Sequence, residues 1–448
     1  MSFASPANLI PRRSIAGMEG MYVKMWDPPT ESPATPELLT PTNPVPEVRA
    51  AAGFANAPAV PHTLDIRLMH GMQINAWDGK PIEFFLFQDN DVPVTGGGVF
   101  PAATIRVPRG AIFHADTQGA GPPPHTIHWH GIEPTPMNDG VGHCSMELGQ
   151  YTYQWQPNFI GSYFFHCHRN TMQHFEFGLY GFLIIDPPDA FFATQADPTI
   201  PIGAGTDGLR RTAANLTSFR RTFPGWVGGL LTSGDPHAMT VPYDVEALWV
   251  VDDRDSVWSD LASNARATYP RHGDQPGVND SFTENPGVNG FFAFNDFNAD
   301  YWYVTGASVP VRKGGVGAIS PSLTIPPELM SGVSGVQVSI NARVGQTILL
   351  RCLDAAYNAV RVTLPVPCTV IAFDGRALGV PPFGYGQPFT VRAGTPIKLS
   401  TARRFDCLIK PTRPMNTFAT VEFFETRGGG FDVGEKLSTA QIPFVVTP

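Results

Sequence analysis

Two short runs hold most of the side chains that could do chemistry. HTIHWHG carries His125, His128 and His130, and HCHRNTMQH carries His166, Cys167, His168 and His174. Seven of the chain's 12 histidines therefore fall between residues 125 and 174, whereas histidines kept for structural hydrogen bonds would be scattered. Side chains alternate along a strand, so His128 and His130 share a face, His166 and His168 share a face, and Cys167 points the other way. His125 lies beyond a local irregularity and is free to face a different site from its neighbours. The alternation sorts the residues into two sets. His125, Cys167 and His174 combine a soft thiolate with two imidazoles, the trigonal donor set of a blue (type 1) copper centre. His128, His130, His166 and His168 offer four imidazoles, which suit copper or zinc. A structural zinc site would draw on paired cysteines at short spacing, and here one cysteine is at hand. Leu179 stands five residues after His174, where a weak axial methionine often sits; an apolar residue there removes the axial donor and raises the reduction potential.

The elements that must position these residues are short strands. Gly and Pro contribute 45 residues each and punctuate runs of Val, Ile, Phe and Tyr, the texture of an all-β chain rich in turns. With 448 residues, the chain is too long for one core. Residues 1–60 are Pro-, Ala- and Thr-rich without periodicity and read as an extended arm. Residues 61–188 alternate as one sandwich that holds the copper ligands. Residues 189–242 read as a linker, 243–430 as a second, copper-free sandwich with a long polar insertion over 255–300, and 431–448 as a tail. The remaining histidines, His62, His70, His114, His237 and His272, are isolated and read as non-ligands. His143 and Cys144 form a tempting pair but read as structural. Cys144, Cys352, Cys368 and Cys407 are either paired or, more commonly for such residues, buried thiols.

The net charge of −9 with no Lys/Arg cluster argues against nucleic acid or anionic lipid as partners. No apolar stretch reaches the roughly 18 residues of a membrane span. Arg12 and Arg13 are not followed by an apolar run of signal-peptide length, so no signal peptide is visible.

HTIHWHG followed by HCH, a further histidine and GLYGFLII resembles the copper-binding motifs of the multicopper oxidases, and FPAATIRVPRG resembles the strand that opens their first domain. The likeness is strong over 98–188. It implies tandem cupredoxin-like Greek-key β-sandwiches joined by long irregular connections. It also implies roles: His125, Cys167 and His174 for type 1 copper, His128 for type 2, and His130, His166 and His168 for type 3. Asp139, in PMNDG, resembles the family carboxylate that orients water near type 2 copper and supplies protons; as a turn residue it has a plain alternative. Residues 340–425 resemble the copper-free middle domain of three-domain members. The chain departs from the family by carrying its type 1 ligands in the first domain. The Cys167 to His174 spacing is longer than in common oxidases and shorter than in copper nitrite reductases. A full trinuclear cluster takes eight imidazoles, and this sequence offers half.

The resemblance implies an oxidase that passes electrons from a small-molecule, metal-ion or redox-protein reductant through type 1 copper and Cys167 to a His-bound copper site that reduces oxygen. The alternatives are a type 1 copper electron carrier and, third, a nitrite reductase-like enzyme, disfavoured because His128 stands where those enzymes place a carboxylate. A homo-oligomer would bring two four-histidine faces together. The expected setting is periplasmic or extracellular.

Overall fold

The structure, a computed structural model, describes residues 62–89, 100–108, 113–118, 125–132, 134, 138–141, 150–155, 157, 161–168, 171–186, 207–208, 240–241, 244–260, 297–321, 338–378, 388–427 and 434–448. The expected arm over 1–60, most of the expected linker, the middle of the 255–300 insertion, and His143, Cys144, His237 and His272 lie outside them.

The first region contributes β1 (His62–Asn75), β2 (Pro81–Asp89), β3 (Ala102–Pro108), β4 (Phe113–Gln118), β5 (His128–His130), β6 (Gln150–Trp155), β7 (Gly161–His166) and β8 (Tyr180–Asp186), with one helical turn and a half, α1 (Thr171–Glu176), between β7 and β8. Two four-stranded sheets form, in the orders β2-β1-β4-β6 and β3-β8-β7-β5. They enclose one core, with Phe87, Phe113, Tyr153 and Trp155 from the first sheet facing Ile105, Trp129, Phe165 and Leu183 from the second. The alternate residues of β4 and β6 that enter this core are the apolar ones of the sequence pattern, as burial of one sheet face requires. His62 and His70 lie on β1 and His114 on β4.

The second region is also mainly β. Strand Val245–Arg254 runs parallel to Ile348–Asp354, which is followed across an eight-stranded sheet by Arg404–Ile409 and Cys368–Phe373. A six-stranded sheet faces it, built around Met415–Phe424 and Lys436–Thr447. Trp249, Trp302, Ile348, Phe405, Val421, Ile442 and Phe444 fill the space between. Residues 431–448, expected as a tail, instead supply Lys436–Thr447, a strand paired on both sides. Ala440, Ile442, Phe444 and Val446 alternate inward as they should, but Pro443, which has no N–H for a ladder, disguises the run as non-strand. Cys352, Cys368 and Cys407 are buried free thiols.

A third core joins the two regions. Phe164, Phe182 and Ile184, on the outer face of β7 and β8, pack with Phe84 and Leu86 of β2 and with Leu248, Val250, Tyr303 and Leu353 of the second region. Buried polar bonds run through the same interface. Glu246 accepts from Arg351 Nε at 2.7 Å and from Arg106 Nη1 at 2.8 Å, and Ser162 Oγ donates to Asp406 Oδ1 at 2.6 Å. No helix among the described residues is long and apolar enough to cross a membrane.

Candidate metal centre

The register between β5 and β7 organises the histidines. His128 lies opposite His166, Trp129 opposite Phe165, and His130 opposite Phe164. Directly opposed residues share a face, so His128, His130 and His166 emerge on one side of the sheet while Trp129 and Phe165 enter the first core. Cys167 continues the inward series of Tyr163 and Phe165 and belongs to that core. After it the chain winds through α1, which carries His174 back. The return is closed by two backbone bonds, Cys167 N–H to Leu179 O at 3.1 Å and Leu179 N–H to His174 O at 3.0 Å.

His125, Cys167 and His174 meet inside the protein. His174 Nδ1 lies 3.2 Å and His125 Nδ1 3.7 Å from Cys167 Sγ, and the two ring centroids are 4.5 Å apart. The three donor atoms fall within 4.8 Å of one another. All three residues are buried, as is Leu179, so water is excluded. Burial pushes the His125 pKa down to about 3, which keeps its imidazole neutral and its lone pair available at ordinary pH. A sulfur and two nitrogens converging in a dry pocket, with an apolar residue alongside, fit copper as a soft, borderline cation.

The second set gathers on the other face. Ring centroids of His128 lie 5.3, 5.2 and 5.2 Å from those of His130, His166 and His168. Donor atoms of His128, His130 and His166 come within 4.8 Å of one another; His168 stands at the edge of the group, 5.7 Å from the His166 ring. Two hydrogen bonds decide which nitrogens are available. His128 Nδ1 is 2.7 Å from the Asp139 main-chain oxygen, and His166 Nδ1 is 2.8 Å from that of Cys167. A carbonyl can only accept, so both Nδ1 atoms carry the proton and both Nε2 atoms keep the lone pair a metal needs. His166 Nε2 lies 3.2 Å from His130 Nδ1, at the centre of the group. Burial, then repulsion from His128 and His130, holds the His166 pKa well below the usual imidazole range. Burial, then Arg404, brings His130 to about 3, and burial, then His128, lowers His168. These shifts favour the neutral imidazole, the form that binds metals, at His130, His166 and His168.

Asp139 has the turn position that its sequence context suggests. It sits in a turn, and its Oδ1 lies 3.1 Å from His128 Nδ1 beside the shorter contact from its own carbonyl. The turn depends on Gly140, whose φ is +67° and whose missing Cβ would collide with the Ile127 carbonyl. Several supporting residues carry no sequence signal. Thr126 Oγ1 accepts the His168 N–H at 2.9 Å, Tyr153 OH accepts the Ile127 N–H at 3.0 Å, and Phe164 stacks 4.3 Å from the His130 ring. Only Thr126, inside the histidine run, lay where a reader would look.

Comparison with known proteins singles out the same segment. A blue copper oxidase structure from Nitrosomonas europaea aligns over 86% of each chain with 17% identity and a TM-score of 0.49. L-ascorbate oxidase of Cucumis sativus is 37% identical over 104 residues, 20% of this chain and 16% of that protein. A laccase of Aspergillus fumigatus is 36% identical over 96 residues, again 20% of this chain and 16% of that protein. The chain thus matches about a sixth of the length of these relatives. The family profile described as Multicopper oxidase matches residues 88–190, the stretch that contains both histidine runs and the helical turn that carries His174. Over residues 88–190, this chain is similar to the multicopper oxidases.

Proposed function

We propose that the chain is a copper-dependent oxidoreductase of the multicopper oxidase type, with His125, Cys167 and His174 holding type 1 copper and His128, His130, His166 and His168 holding further copper. The observation that carries this reading is the aim of both imidazole Nδ1 atoms at Cys167 Sγ, at 3.2 and 3.7 Å, in a buried pocket. Bound copper would supply one-electron transfer between a reductant and oxygen. The protein's own part is preparation. Leu179 offers no donor and keeps water out of the first set. The Asp139 and Cys167 carbonyls fix the tautomers of His128 and His166, so that their Nε2 atoms face the second set without rearrangement. Asp139, whose Oδ1 is buried beside His128 while the side chain as a whole is part-exposed, is the carboxylate placed to pass a proton for oxygen reduction. The reductant is a small molecule, a metal ion or a redox protein. Since the described residues of this chain bring together four imidazoles of the family's eight, a second copy of the chain is the partner that completes the set.

One observation favours a second reading, an electron carrier with type 1 copper alone: three of the four outer imidazoles converge and His168 stands aside. Copper analysis combined with light scattering separates the two. The oxidase reading expects more than one copper per chain and an oligomer; a monomer with one copper means a carrier. The intense visible thiolate charge-transfer band expected of the loaded protein disappears in Cys167→Ser, and a variant that kept its colour would overturn the ligand assignment for both readings.

A further inference from the structure

The second region has no cluster of metal-ligating side chains among its described residues, yet it grips the histidine face of the first. Arg404 opens the strand Arg404–Ile409 and is 2% exposed. Its guanidinium carbon lies 5.3 Å over the Phe164 ring. That ring stacks in turn on His130, at 4.3 Å and 25°, and on His166, at 5.1 Å and 21°. Arg404 Nε donates to the Ser162 carbonyl at 3.3 Å, and Nη1 to the Ala402 carbonyl at 2.7 Å, with Asp374 Oδ1 at 3.6 Å. The guanidinium is therefore held at both ends, by its own region and by β7. Beside it, Arg376 Nη1 donates to Tyr163 OH at 2.8 Å and Nη2 to the Gly131 carbonyl at 3.1 Å, tying down the residue that follows His130. Gly131 makes room for this: a Cβ there would stand 2.8 Å from Arg404 Nη2.

We propose that Arg404 is a positioning residue for the four-histidine site, acting through Phe164 to fix the rings of His130 and His166. This rests on the metal-binding reading of that site. A planar cation over one face of Phe164 and imidazoles against the ring leave it little freedom, and the same stack sets the angle at which His130 Nδ1 and His166 Nε2 meet at 3.2 Å. Lysine carries the charge but neither the flat face nor the Nε bond. The copper-free region thereby shapes the donor set from outside, as groups supporting metal ligands commonly do.

The test uses the full chain, with Arg404→Met, Arg404→Lys and, with Arg404 intact, Phe164→Leu. Copper(II) affinity of the outer site is measured by chelator competition, with the visible thiolate band as an internal control on the inner site. All three variants are expected to lose about tenfold or more in outer-site affinity while the band keeps its energy. The second readout needs no metal: the imidazole C–H resonances of His130 and His166 in the copper-free protein should move in each variant as the stacked ring shifts. Unchanged affinity and unchanged resonances in Arg404→Met would overturn the proposal. So would an Arg404→Lys protein indistinguishable from the parent, since charge alone would then suffice. If the parent itself took up no outer-site copper, the metal-binding reading would fail, and the resonances would still report whether Arg404 holds the rings.

Discussion

Acid should loosen the copper-free protein through its buried imidazoles, and the share that His125 contributes can be isolated. Its imidazole is buried and its pKa is held near 3, against 6.5 for an unhindered histidine. The folded state therefore refuses a proton that the unfolded chain accepts. Stability is fully present above pH 6.5 and is lost progressively as pH falls toward 3. Between pH 7 and pH 5 the unfolded chain gains about 2 kcal/mol from this one proton while the folded state gains almost nothing, and a further ~1.3 kcal/mol follows by pH 4. Against a typical domain stability of roughly 5–15 kcal/mol that is a substantial fraction. Urea unfolding of copper-free protein, followed by tryptophan fluorescence from the Trp129 and Trp155 core, measures the difference between the two pH values. In His125→Gln the difference should shrink by about 2 kcal/mol; the variant's own packing cost cancels because it is present at both pH values. An unaltered difference would mean that His125 is protonated in the fold, and the argument that burial keeps it ready for metal would collapse.

Three other outcomes follow from the same geometry. Leu179→Met, a nearly volume-conserving exchange costing under about 1.5 kcal/mol, should lower the reduction potential of the inner copper in voltammetry by offering a thioether; a raised or constant potential means that Leu179 is not axial. Gly140→Ala forces a Cβ onto the Ile127 carbonyl at positive φ, and should cost on the order of 1–3 kcal/mol in thermal unfolding while weakening copper at the outer set by displacing Asp139 from His128. Glu246→Ala removes the carboxylate that the buried Arg351 and the part-buried Arg106 share across the interface and should cost roughly 3–5 kcal/mol; a small loss would show that the two arginines find water or other partners.

The parts of the site that were legible in the sequence are those set by local geometry. Strand alternation alone separates Cys167 from His166 and puts His128 and His130 together, and the β5–β7 register bears that out. The return of His174 was less open to reading, because α1 is six residues long and too short to show a helical period. What sequence could not show is what comes from far away. Arg404 reaches Ser162 across 242 positions, and Arg376 reaches Gly131 across 245. Nothing in RRFDCLIK distinguishes an arginine braced against a histidine face from one in solvent. Lys436–Thr447, expected as part of a tail, becomes a strand through its pairing with Met415–Phe424, where Pro443 lies opposite Phe418.

The core shared between the two regions also governs the order in which the protein can be made. The first sandwich leaves the ribosome before the second, and its β7–β8 sheet then presents Phe164, Phe182 and Ile184 covered on one side by Phe84 and Leu86 of β2 but without their second-region partners. The rest of their cover, Leu248, Val250 and Leu353, lies in strands Val245–Arg254 and Ile348–Asp354, so the nascent sandwich waits with an adhesive face until the first half of the eight-stranded sheet has been synthesised. A chain cut after residue 190 keeps both histidine runs and the whole of the matched family segment, yet it would emerge permanently in that unfinished state. Its fate would be aggregation rather than a small copper protein.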